Sequence, residues 1–80
     1  MDQHLRSFLG DLIEIVHDKY HDSLQAEQDE SDLDKTFRLG CNFAYYDVLE
    51  LIESQLRAFG YDTKQFGVIA PEFGKMSESE

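Results

Sequence analysis

Between residues 2 and 59 the chain holds two glycines, Gly10 and Gly40, and no proline; its one proline is Pro71. Glycine and proline are the residues that most readily interrupt a helix. Their scarcity over this span leaves few places for a tight turn and predicts long helices.

The apolar spacing agrees. Leu5, Phe8, Leu9, Leu12, Ile13, Val16, Tyr20 and Leu24 recur at intervals of three and four. At about 100° per residue they form one stripe, with Asp11, Glu14, Asp18 and Asp22 on the other side. This predicts a first helix over about 3–28. A second start lies at Ser31, an N-cap residue with Asp34 at the position of a capping-box acid. The helix that follows is expected over about 32–59. Its main stripe is Leu33, Phe37, Cys41, Ala44, Tyr45, Val48, Leu51, Ile52, Leu56 and Phe59. That stripe is expected to pack on the first helix, and Gly60 suits the left-handed position after a helix end.

Between the two helices, "EQDESD" carries four acids and no large apolar residue. It reads as the turn of a hairpin. It contains neither glycine nor proline, and the two stripes stay nearly in phase across it. One continuous helix, with a partner chain on each face, is therefore the alternative. Beyond Gly60, Asp62 can cap a short helical turn near 63–67. Phe66, Val68, Ile69 and Phe73 are too apolar for a wholly solvated tail.

The expected architecture is all-α: an antiparallel two-helix hairpin over 1–60, an apolar C-terminal arm over 61–75, and a loose end over 76–80. Eighty residues bury a modest core. A single cysteine, Cys41, permits no intrachain disulfide, which leaves oligomerisation as a common source of stability. Leu39, Phe43 and Tyr46 form a second apolar row at i, i+4, i+7, away from the main stripe. Gly40 and Ala44 nearby would let another backbone approach. Either the arm covers this row through Phe66, Ile69 or Phe73, or a second subunit does. The expectation is a homodimer that closes a four-helix bundle, with Leu39, Phe43, Tyr46, Phe66, Ile69 and Phe73 as interface residues.

The formal net charge is −10. Such a surface disfavours direct nucleic-acid binding and anionic membranes, and favours a protein partner with a basic or apolar groove. The lone cysteine and the lack of a secretory pattern at the N-terminus lead to a cytoplasmic expectation. No run approaches the roughly 18 apolar residues of a membrane span.

Chemistry is sparse. His17 and His21 stand four apart, one turn beyond Glu14. Two imidazoles and a carboxylate at this spacing suit zinc, but a zincin needs glutamate directly after the first histidine, where Asp18 stands. All three also lie off the apolar stripe. An EF-hand starting at Glu30 would need glycine and glutamate where Lys35 and Cys41 stand. Cys41 lies on the stripe, without a histidine or lysine neighbour on that face to activate it. No phosphate loop, nucleophile elbow or Cys-x-x-Cys is present. The reading is therefore a small acidic interaction or regulatory module that acts by binding, with no catalysis and no cofactor. One alternative is a metal-binding bundle using Glu14, His17 and His21. The other is an acidic mimic of DNA that blocks a DNA-binding protein.

Overall fold

The computed structural model describes residues 1–71. Its secondary structure is helical: α1 spans Gln3–Asp22, α2 spans Asp32–Ala58, and a short 3-10 turn spans Thr63–Phe66. No strand occurs among the described residues. The chain leaves helical geometry between Asp22 and Asp32, so the continuous helix is not adopted. Ser23 and Tyr20 at the end of α1 meet Arg38 and Asn42 early in α2. At the other end, Leu9 of α1 shares a cavity with Leu56 and Phe59. The two helices therefore run antiparallel.

Local chemistry sets the boundaries. α1 stops at Asp22 rather than near residue 28. The Ser23 hydroxyl folds back to donate to the Tyr20 carbonyl at 2.6 Å, and successive turn bonds join Leu24 to His21 and Gln25 to Asp22. Asp29 then takes a left-handed conformation at φ 67°. Aspartate tolerates this region better than most residues, so the loop reverses without a glycine. At the start of α2, the Asp34 amide donates to Ser31 Oγ at 3.0 Å, which satisfies one of the orphan amides of a helix start. At its end, Gly60 has φ 83°. The Gly60 amide donates to the Arg57 carbonyl and the Tyr61 amide to the Leu56 carbonyl, the paired bonds of a Schellman ending.

The core joins Ile13, Val16 and Tyr20 of α1, Leu49 and Leu56 of α2, and Ile69 of the arm. Here the structure departs from the expected packing of α2. The seam that faces α1 is Arg38, Asn42, Tyr45, Leu49, Ile52 and Leu56, at alternating steps of four and three. Leu49 is completely buried and Asn42 nearly so. Tyr45, Ile52 and Leu56 of the expected stripe lie in this seam, whereas Leu33, Phe37, Val48, Leu51 and Phe59 are exposed.

The cause is polar. The last carbonyls of a helix lack partners within it. Arg38 donates to the Ser23 carbonyl at 2.9 Å. Asn42 donates to Ser23 Oγ at 3.0 Å and lies 3.4 Å from the Tyr20 carbonyl. Turning Arg38 and Asn42 toward α1 carries Leu49 and Leu56 into the core, because they lie seven and fourteen residues beyond Asn42 on the same line.

The arm packs on its own chain. Ile69 is 2% exposed. His17 Nε2 donates to the Ile69 carbonyl at 2.7 Å, the Ala70 amide donates to Glu53 at 3.3 Å, and Arg6 donates to the Gln65 side chain at 3.0 Å. Phe66 lies over Gly10.

Candidate docking surface

The arm covers one face of the hairpin, above Arg6, Gly10 and His17. The opposite face is open and apolar. On α1, Phe8, Leu12, Ile15 and Lys19 lie on one line at i, i+4, i+7 and i+11. Lys19 borders a surface cavity whose other wall holds Phe37, Cys41 and Tyr45 of α2, so this line of α1 and the outward stripe of α2 flank one groove. Phe8 is 61% exposed, Leu51 62% and Phe37 74%. Leu12, Ile15, Val48 and Phe59 are also exposed.

The groove differs along its length. At the loop end is a cavity of about 570 Å³, bordered by Asp22, Glu27, Glu30 and Asp34 together with Lys19, Arg38, Phe37 and Tyr45. The half-buried thiol of Cys41 lies in the same wall. At the far end a cavity of about 290 Å³ is bordered by Leu9, Leu51, Ile52, Leu56 and Phe59, with Gln55 and Tyr61. One end is acidic and aromatic; the other is almost wholly apolar.

Arg38 binds Glu30 through two contacts, Nε to Oε2 at 2.7 Å and Nη2 to Oε1 at 3.1 Å. Hydrogen bonding to Arg38 holds the Glu30 carboxyl below its ordinary range, against the opposing effect of burial. The same pairing raises the guanidinium. Loop, α1 end and α2 are thus tied together at the acidic end of the groove.

The residues expected at an interface are distributed differently. Leu39 and Phe43 are exposed on α2. Tyr46 is half-buried beside the core, and its hydroxyl lies 3.5 Å from Glu50. Partial burial, then Glu50, raises the Tyr46 phenol. Phe66 is half-buried on the core and Ile69 is within it. Phe73 lies outside the described residues. Sequence reading missed the joint face of the two helices, because the expected hairpin used up the main stripe of α2.

The candidate metal ligands do not converge. Glu14 and His21 are exposed, His17 is engaged with the Ile69 carbonyl, and the His17 and His21 rings are 6.3 Å apart and tilted. No group of three or more His, Cys, Asp or Glu side chains is placed to hold a metal among the described residues. Among them too, no helix is long and apolar enough to cross a membrane. No family model, curated protein or solved structure matches the chain.

Proposed function

We propose that this protein is an acidic interaction module that acts by binding rather than catalysis. Its docking surface is the open face of the hairpin, which joins a second copy in a four-helix bundle. The observation that supports this is the size and continuity of that face. An aromatic side chain carries about 150–250 Å²; at the observed exposures, Phe8, Phe37 and Phe59 alone present on the order of 400 Å², and the exposed Leu12, Ile15, Leu33, Val48 and Leu51 add to it. The largest apolar patch on a typical monomer is about 300–600 Å², and a standard interface buries about 800 Å² per partner. Two hairpins joined through this face make a bundle whose core comes from facing helices.

The row of Leu39 and Phe43 belongs to α2 alone and is narrower. Two variants separate the surfaces. Leu51→Glu places a charge in the middle of the open face, and Leu39→Glu places one in the row. Chemical cross-linking of each against wild type is expected to lose the dimer band for Leu51→Glu only. Loss for Leu39→Glu only would move the interface to the row.

A further inference from the structure

The acidic end of the groove is the weakest part of the fit to a second copy. If two copies meet with parallel hairpins, Asp22, Glu27 and Asp34 face the same acids. If they meet antiparallel, these acids face the apolar Leu9, Leu51 and Phe59 end. Either arrangement leaves carboxylates beside like charge or beside hydrocarbon, and both are costly. Lys19 offsets part of this charge, while Arg38 is committed to Glu30.

We infer that the groove's preferred occupant is an amphipathic helix of another protein, with apolar anchors toward one end and lysine or arginine toward the other. The anchors seat between Leu9, Leu51 and Phe59, and the cations lie over Asp22, Glu27 and Asp34. The self-associated form is the resting state that this helix displaces. This rests on the reading of the open face as a docking surface. It adds the partner's chemistry and its direction along the groove. Helix-in-groove binding commonly uses such spaced anchors, and complementary charge supplies orientation and rate of encounter.

The test uses the full chain and labelled helical peptides of about 18 residues, or about 27 Å. One peptide carries a leucine and phenylalanine stripe with lysines confined to one half. A second replaces those lysines with glutamate. A third keeps the composition of the first but spreads the lysines evenly. Fluorescence anisotropy is read from about 0.05 to about 0.5 M salt, alongside the mass of the complex.

The first peptide is expected to bind best, to weaken roughly tenfold over that salt range, and to convert the protein to a one-to-one complex. Asp22→Asn combined with Glu27→Gln is expected to reduce its affinity several-fold and flatten the salt dependence. These changes remove exposed charges from the loop end and leave the core intact. Equal binding of the glutamate peptide, or salt-independent binding of the first, would overturn the inference; so would no saturable binding to wild type. Mass without peptide separates the two proposals. A protein monomeric by itself that still binds the first peptide refutes self-association and supports the partner helix. A dimer that no peptide enters does the reverse.

Discussion

Asn42 on α2 donates to the hydroxyl of Ser23, one residue past the end of α1, at 3.0 Å. This contact sets which side of α2 is inside. It places a polar residue in the helix–helix seam, where it adds to the Ser23–Tyr20 bond that closes α1. Asn42→Ala is expected to cost about 0.5–1.5 kcal/mol, since its bond to Ser23 is lost while Ser23 and the Tyr20 carbonyl still bond each other. Asn42→Leu is expected to recover little of this, as it adds apolar volume without replacing the bond. Chemical denaturation of each variant against wild type measures both.

Leu49 lies one heptad beyond Asn42 and is completely buried. Leu49→Ala is expected to lose about 2–5 kcal/mol, which is a large part of the stability of a domain this small. Leu51→Ala, two residues away but outward, is expected to change monomer stability by less than about 0.5 kcal/mol. Thermal melts of the pair, run where the chain has its single-chain mass, compare the inner and outer faces directly. Equal losses under that condition would place α2 in a different rotation.

Tyr20 is buried, and its hydroxyl has no hydrogen-bond partner among the described residues. Burying a hydroxyl without a partner is unfavourable. Tyr20→Phe is therefore expected to be neutral or to stabilise by up to about 1–3 kcal/mol. A loss of stability on denaturant titration would reveal a bond to that hydroxyl.

The Glu30 carboxyl titrates below its ordinary range because Arg38 bonds its charged form. A carboxyl depressed on folding contributes stability above its unfolded pKa and loses it as pH falls through the lower folded value. Acid titration of wild type should therefore show falling stability below the usual glutamate range. Glu30→Gln should remove that part of the slope, while leaving the neutral-to-alkaline region parallel to wild type. An unchanged acid slope in the variant would place the dependence on other carboxylates.

Gly40 lies on α2 with open space where a Cβ would point. Gly40→Ala is expected to stabilise the helix by about 1 kcal/mol through backbone propensity. Gly60 has a left-handed conformation, so Gly60→Ala is expected to cost about 1–2 kcal/mol. Urea unfolding of the two alanine variants should move the midpoint in opposite directions.

Much of this architecture is legible in the sequence. Ser31 and Gly60 mark the two ends of α2 through chemistry that acts locally, and the scarcity of glycine and proline points to the two helices. The rotation of α2 is not legible from apolarity. Its longest stripe is split: Phe37, Val48 and Leu51 lie outside, while Tyr45, Ile52 and Leu56 lie in the seam. The inner seam includes Arg38 and Asn42, which a hydrophobic pattern assigns to solvent. The Ser23 carbonyl gives Arg38 a reason to face inward and the Ser23 hydroxyl gives Asn42 one, and both demands are tertiary. The early end of α1 has the same origin, since Ser23 acts as its terminator together with side chains from α2. The arm's attachment is partly legible: Phe66 and Ile69 signal burial, but His17 carries no sequence mark that its partner is the Ile69 carbonyl. The groove is legible only after α2 is rotated, because it borrows one wall from each helix.

The most direct measurement is the solution mass of the wild-type chain across a concentration series, by light scattering on a sizing column. Self-association through the open face predicts a rise toward twice the 9.3 kDa chain mass, with Leu51→Glu held at the single-chain value. A wild-type chain that stays at its single-chain mass to millimolar concentration would contradict it.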